Sequence, residues 1–321
     1  MKKISDVMQL IEKYEQAQVI MAANELEIIP LLEHEQSNSE ELSLRLKVSE
    51  RGIERLLLAL KDLGLVKGSP ASGSRIRYRP TRLGIECFGI NGKIRNWTAH
   101  HKNLFRSWAS LSESIRTDAP ILKNTHDLNV ASYAYGLMEL YLLQYRKLQD
   151  VVNLRGKIKL LDVGGGLGHY TILAAIDNPS LNATIIDRTE IALLTRKVIK
   201  EYHLEQRISV IPGDLLLSKW PNDFNVALIS NVLHGKSRNE ARQLASKTFD
   251  ALHRNGKIII NEWIKGSQMA NLFDLNMLIC TRDGHVWNKH QLRDLVLSVG
   301  FSRPRWRKFN TLNWILEAVK K

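Results

Sequence analysis

The segment Asp162-Val163-Gly164-Gly165-Gly166-Leu167-Gly168-His169 puts four glycines just after the short apolar run Leu160–Val163. Glycines in such a turn let the backbone approach a ligand closely and adopt dihedrals that a side chain forbids. A glycine-rich turn between strand and helix is by itself a weak signal, because dinucleotide-binding proteins use one too. Here the spacing departs from Gly-x-Gly-x-x-Gly. The turn also opens on an acid, which would repel a pyrophosphate and suits a cationic or amino-acid-bearing ligand. A tight turn with nothing bound is the bland alternative.

Two further acids follow in order. Asp187 ends the next apolar run, Ala183–Ile186, where a carboxylate can accept both ribose hydroxyls of a nucleoside. Asp214, after Pro212-Gly213, is placed to accept a hydrogen bond from an adenine amino group, with Leu215 covering one face of the ring. An aspartate in a turn is usually a local cap. Three in strand order are harder to explain that way.

Such residues need strands to carry them. Apolar runs at 160–163, 183–187, 208–211, 226–230 and 257–261 alternate with helical stretches at 169–176 and 190–202, and Asn313–Ala318 reads as a last edge strand. This alternation predicts an α/β domain with a mostly parallel, Rossmann-like sheet covered by helices on both faces. Ligands of such sheets bind beyond the carboxyl ends of the strands, near the topological switch point.

The first third of the chain reads differently. Apolar residues at Val7, Leu10, Ile11, Tyr14, Ala17 and Met21 recur at helical spacing over residues 5–32. Asn38-Ser39 and Ser49-Glu50 open two short helices, and a turn over 67–74 leads into Arg75-Ile76-Arg77-Tyr78-Arg79. Helix, turn, helix and basic hairpin describe a winged helix, which serves DNA binding in some proteins and compact structural or dimer-forming roles in others. Residues 95–152 are again helical, with Trp97, Phe105, Trp108, Tyr133, Tyr135, Tyr141 and Tyr145 spread through them and interruptions at Pro120 and 124–129. We expect domains at 1–94, 95–152 and 153–321.

Length and composition fit an ordinary globular chain: 321 residues, 44% apolar and 25% charged. The two cysteines, Cys87 and Cys280, suit a reducing, cytoplasmic compartment. Asp6 interrupts the start before any apolar run, and no apolar stretch is long enough to span a membrane, so neither a secretory leader nor a membrane span is expected. No histidine or acid set has metal-ligand spacing, so no metal is expected. The net charge of +13 invites an anionic partner. Its distribution narrows the choice. Residues 1–90 hold 13 basic and 13 acidic side chains, residues 91–159 hold 11 and 5, and the remainder 22 and 15. A neutral winged-helix segment is a poor phosphate binder, so we expect no nucleic acid. General surface charge and an anionic substrate, met by Lys102, Arg106, Arg116 or Lys236, both remain open.

Asp162-x-Gly-Gly-Gly-x-Gly168, Asp187, Gly213-Asp214 and Ser230-Asn231-Val232-Leu233-His234 together resemble the S-adenosylmethionine-dependent methyltransferases of class I fold. The chain is similar, over nearly its whole length, to the small-molecule O-methyltransferases that include plant caffeate/isoflavone enzymes and bacterial natural-product enzymes. That family begins with a winged-helix-like dimerisation domain, and Trp108–Leu111 with Arg116–Pro120 is similar to its middle segment. The resemblance implies a homodimer acting in secondary metabolism on an aromatic or polycyclic small molecule, with S-adenosylmethionine as cofactor. It places Gly164, Gly166 and the adjoining turn at the methionine part, Asp187 at the ribose, Asp214 and Leu215 at the adenine, and Ser230 nearby, with Asp162 among the cofactor-binding residues. It makes His234 the general base and Glu262 the acid that orients it. Trp108, Met138, Phe273 and Met277 become candidate substrate walls, although such residues are core by default.

The chemistry agrees with those roles. A sulfonium makes its methyl electrophilic, so the enzyme's tasks are alignment and proton removal. Histidine suits proton removal near neutral pH, and a carboxylate on its other ring nitrogen fixes the tautomer. A strand-end histidine that caps the next helix is the bland reading. Two departures bear on the acceptor atom. Gly235-Lys236 stands where the family usually has Asp-Trp, and Val286 stands where a second acid often flanks the histidine. Methyl transfer to carbon or nitrogen, a non-methylating reaction on the same fold, cofactor binding without transfer and, further off, a winged-helix DNA-binding regulator are the alternatives.

Overall fold

The computed structural model describes residues 3–70, 75–121, 129–144 and 147–321. Residues 71–74 of the expected turn, residues 124–128 of the expected interruption, and Tyr145 lie outside the described residues. The chain forms two units, one comprising Met1–Phe105 with Tyr135–Leu143, the other Arg106–Ala134 with Gln144–Lys321.

In the first unit, the single helix expected over 5–32 is two, α1 (Ile4–Glu25) and α2 (Ile28–His34). The break falls at Glu27, which adopts a left-handed φ of 54°. The Arg95 guanidinium holds its carboxylate at 2.7 Å, and the Asn24 amide donates to the Arg95 carbonyl. Helices α3 (Ser39–Leu46) and α4 (Glu50–Asp62) begin where expected. Asn38 and Glu41 form a reciprocal capping box, and the Ser49 hydroxyl accepts the Gly52 N–H. Strands β1 (Val66–Pro70) and β2 (Ile76–Pro80) pair antiparallel as the wing. Tyr78 of β2 also pairs with Ser37 just before α3. Two arginines of the wing form surface ion pairs with α3: Arg75 with Glu40, and Arg77 with Glu41 at 2.8 Å. Leu42, Ile53, Leu57, Leu60, Tyr78 and Phe88 share one core with α2. The unit continues through α5 (Arg82–Phe88) into α6 (Arg95–Ala109). Along α1, Ile4, Val7, Met8, Ile11 and Tyr14 form an exposed apolar stripe.

In the second unit a seven-stranded sheet runs in the order β5-β4-β3-β6-β7-β9-β8, where β3 is Ile158–Val163, β4 Leu181–Asp187, β5 Ile208–Pro212, β6 Phe224–Ser230, β7 Leu252–Trp263, β8 Phe301–Lys308 and β9 Asn313–Lys320. The first five of these are parallel, and β9 and β8 join antiparallel. Asn313–Ala318 was expected at the edge and lies inside it. The edge strand is β8, which reads as a surface basic cluster because Arg303, Arg305 and Arg307 face out while Pro304 and a register shift between Ser302 and Arg305 break its alternation. Side-chain alternation sorts the two faces. Leu161, Val163, Ile229, Ile258 and Ile260 pack on α11 (Arg238–Ala251) and α13 (Lys289–Ser298). Asp162 and Asn261, of opposite parity, meet α9 (His169–Asp177), and α10 (Thr189–Glu201) follows β4. The chain reverses direction across the sheet between β3 and β6, so the carboxyl ends of those strands mark the switch point. Helices α7 (Leu111–Thr117) and α12 (Gln268–Cys280) also belong to this unit, while Tyr135–Leu143 of α8 (Val130–Gln144) belong to the first. Among the described residues no helix is long and apolar enough to cross a membrane.

Candidate active site

The glycine turn leaves β3 at the switch point, and hydrogen bonds to neighbouring elements hold it. Gly164 N–H donates to the Ile186 carbonyl, Gly166 N–H to Asp187 Oδ2 at 2.8 Å, and Thr195 Oγ1 to the Gly166 carbonyl. Gly164 has a φ of 69°, and a Cβ on it would stand 2.7 Å from Val232 Cγ2 and 3.3 Å from Leu215 Cδ1. The end of β3, the loop after β5 and the loop after β6 therefore converge on that one glycine. Gly166 also has a left-handed φ, with open space where a Cβ would point.

Asp162 is buried beneath this turn. Its Oδ2 accepts the Thr171 hydroxyl at 2.6 Å, while Oδ1 has no hydrogen-bond partner among the described residues. Burial raises its pKa to about 7, with the Thr171 hydrogen bond opposing and Asp187 adding to the shift. Asp187, also buried, spends Oδ2 on Gly166 and Oδ1 on the Arg188 N–H at 2.8 Å. Burial raises its pKa too, against the pull of those two N–H groups. Each of its oxygens keeps a second lone pair. Asp214 accepts the N–H groups of Leu216 and Leu217, so the local cap is real. Those N–H groups hold its carboxyl below the usual range, with Lys236 and Lys247 assisting from nearby.

Two polar clusters close the far side of the switch point. Ser230 accepts from the Asn261 amide at 2.9 Å, and the same amide donates to the Tyr170 hydroxyl. Asn261 is fully buried and its Oδ1 has no hydrogen-bond partner among the described residues. Glu262, one residue on, faces the opposite way. Its exposure is 0%, and its Oε2 lies 2.9 Å from His234 Nδ1 while Oε1 accepts the Leu233 N–H at 2.7 Å. The His234 and Trp263 N–H groups complete its shell. Phe273 of α12 packs edge-to-face on the imidazole, centroids 4.8 Å apart, and stacks on Trp263 behind. The His285 N–H donates to the His234 carbonyl, so close that a Cβ on Gly284 would stand 2.6 Å from that oxygen. Val286 is fully buried, and its N–H is taken by Asp274, which also pairs with Lys265.

The predicted site residues of the second unit thus fall into two groups, Asp162, Gly164, Gly166, Asp187, Asp214, Leu215 and Ser230 around the glycine turn, and His234 with Glu262 beside it. Phe273 joins the second group. Trp108 donates its indole N–H to Asn276 of α12, and Met277 is buried as a core residue. Met138 belongs to the first unit. Of the four basic candidates, Lys102 pairs with Glu25, Arg116 with Glu113, and Lys236 with Glu240, while Arg106 is exposed. Thr171, Tyr170, Val232 and Asn261 escape the sequence reading. Asn261 carried a signal, since a polar Asn-Glu pair ending a run of three isoleucines has to be satisfied by something buried.

An unpartnered buried carboxylate oxygen, glycines that keep the turn open, and a carboxylate at the end of the second strand fit a cationic, amino-acid-bearing nucleoside. Among the described residues no cluster of histidine, cysteine or acid is arranged to hold a metal. A doubly wound sheet with this site at its switch point defines a Rossmann-like, nucleoside-binding α/β protein. Comparison with known proteins narrows the class. The O-methyltransferase domain model matches residues 120–302, and the O-methyltransferase dimerisation domain model residues 8–86. The chain belongs to the O-methyltransferase family of S-adenosylmethionine-dependent enzymes. It is 26% identical over 327 residues to the 3-hydroxy-5-methyl-1-naphthoate 3-O-methyltransferase of Streptomyces sahachiroi, covering 94% of this chain and 91% of that one. It is 22% identical to the N,N-dimethyltransferase OxyT of Streptomyces rimosus, covering 98% and 96%. Human N-acetylserotonin methyltransferase, solved with S-adenosylmethionine, superposes with a TM-score of 0.80 at 19% identity, covering 100% and 99%, and shows the same fold.

Proposed function

We propose that this protein transfers a methyl group from S-adenosylmethionine to a hydroxyl of an aromatic or polycyclic small molecule, with His234 as general base. The observation that carries the reading is the 2.9 Å contact between His234 Nδ1 and the fully buried Glu262. A carboxylate there holds the proton on Nδ1 and leaves Nε2 as the basic nitrogen. Nε2 takes the hydroxyl proton, and Glu262 stabilises the imidazolium that results. Phe273 fixes the plane of the ring. S-adenosylmethionine supplies, when bound, an electrophilic methyl on a positively charged sulfur. Asp162 is suited to its ammonium, Asp187 to the ribose hydroxyls, and Asp214 with Leu215 to the adenine, while Gly164 and Gly166 let the backbone come close.

The similarity to an enzyme that methylates a naphthoate hydroxyl supports an aromatic acceptor. Nitrogen as the acceptor atom is the second reading, supported by the similarity to an N,N-dimethyltransferase and by Asp274, the acid beside Val286, being engaged with Lys265 and a backbone N–H. We place the dimer contacts in residues 1–94, substrate contacts in 95–152 and cofactor binding in 153–321.

Titration calorimetry with S-adenosylhomocysteine tests the cofactor site, and Asp187→Ala should abolish the heat. Wild-type protein, correctly folded, that takes up no ligand would remove the whole reading. His234→Ala should keep that affinity and lose turnover on the acceptor by about 10²-fold or more, the usual worth of a general base. Near-normal turnover would leave alignment alone as the mechanism.

A further inference from the structure

Lys247 of α11 directs its ammonium at the loop after β5. Its Nζ donates to the carbonyl oxygens of Leu215 at 2.9 Å, Leu216 at 2.7 Å and Ser218 at 2.7 Å. All three ammonium protons are thereby committed to one short stretch of backbone. The Trp220 ring lies against the same ammonium, 4.7 Å from its centroid. On its other side the loop is held by Asp214, whose Oδ1 takes the N–H groups of Leu216 and Leu217 and whose carbonyl takes that of Ser218. The Leu216 and Leu217 N–H groups therefore point at one charge, and the Leu215, Leu216 and Ser218 carbonyls at the opposite charge. Leu215, carried between them, reaches over Gly164. Leu217, two residues on, is 86% exposed and contributes little packing to keep the loop in place.

We propose that Lys247 is a positioning residue for the adenine end of the cofactor site, acting through the backbone of residues 215–218 to fix the Asp214 carboxylate and the Leu215 side chain. This rests on the reading of Asp214 and Leu215 given above. Lys247 needs no contact with the cofactor. Burial lowers its pKa and the Asp214 charge opposes that, so the two charges of the clamp support one another.

The test compares two ligands on the full-length chain by calorimetry, S-adenosylhomocysteine and S-inosylhomocysteine. Asp214 can accept from the exocyclic amino group of adenine and repels the oxygen that inosine places there, so the wild type should prefer the adenosyl ligand. Lys247→Met should weaken S-adenosylhomocysteine by roughly tenfold, the scale of a lost charge-assisted hydrogen bond, and should collapse the preference as well. Lys247→Gln, which keeps two donors, should recover part of both, and it carries the test by the same criteria if Lys247→Met does not fold. Unchanged binding in the Lys247 variants, or an equal loss for both ligands with the preference intact, overturns the proposal. In either case Asp214→Ala must still erase the preference. If Asp214→Ala keeps it, or the wild type has none, the reading of Asp214 falls and takes the proposal with it.

Discussion

Glu262 has no access to water, and its two oxygens are fully engaged by three backbone N–H groups and one imidazole. A neutral isostere separates its charge from its shape. Glu262→Gln keeps an acceptor for Leu233 but presents an amide N–H to His234 Nδ1, which forces the other tautomer and puts the proton on Nε2. Turnover should fall by roughly 10²- to 10⁴-fold because the base is present in the wrong form, and thermal stability should fall as well, because the same amide faces the Trp263 N–H that Oε2 accepts. Turnover within a few-fold of wild type would show that the tautomer is immaterial. Asp162 makes a prediction in pH. A carboxyl held near 7 keeps its proton in the folded chain where the unfolded chain has already lost it. Its contribution to stability therefore falls as pH rises from about 4 to about 7. A cation at the turn favours the ionised form, so ligand binding should release a proton and tighten as pH rises through that window. Asp162→Asn should flatten both the stability change of the ligand-free protein and the pH dependence of S-adenosylhomocysteine binding. Equal pH slopes in mutant and wild type would refute the assignment.

At the scale of elements, α1 displays Ile4, Val7, Met8, Ile11 and Tyr14 on one exposed stripe, within or beside the dimerisation-domain match. A stripe of that kind calls for a partner surface. The full chain should run as a dimer in light scattering, and Val7→Glu with Ile11→Glu should give monomer at micromolar concentration. A variant that stays dimeric would locate the interface elsewhere. Val7, Ile11 and Tyr14 of this stripe were legible in the sequence because helical spacing survives whether or not the face is covered, while Ile4 and Met8 were not read from it. The break at Glu27 was not, because it depends on Arg95 and Asn24 meeting there across 68 and 71 residues of sequence. The parallel strands were legible for the opposite reason: buried on both faces, they read as continuous apolar runs. Strand β8 hid because an edge strand is built to look unlike one. In the site, the acids in strand order could be read directly, since each lies within or shortly after an apolar run. Residues that support them through long-range contacts, such as Thr171 under Asp162 and Lys247 under Leu215, carry no local pattern.

For the molecule as a whole, the net charge of +13 is the property that most invites a different function. Binding of duplex DNA rests on lysines and arginines left free for phosphate. The winged-helix segment is neutral overall, and its wing sends Arg75 to Glu40 and Arg77 to Glu41. Removing those arginines would cost ion pairs within the unit, each worth little at the surface, and would subtract nothing from a phosphate footprint. The excess charge belongs instead to the rest of the chain, where Arg303 and Arg305 line an exposed sheet edge beside Arg307, which pairs with Glu317. Charge spread in that way gives weak, sequence-independent attraction. The full-length protein should bind a labelled duplex of about 25 base pairs no more tightly than roughly 10⁻⁴ M at physiological salt, the weak end of non-specific binding. Fluorescence anisotropy measures it. Arg75→Gln with Arg77→Gln should leave that weak signal unchanged. Micromolar, salt-sensitive binding that vanishes in this double variant would restore the winged segment as a DNA reader.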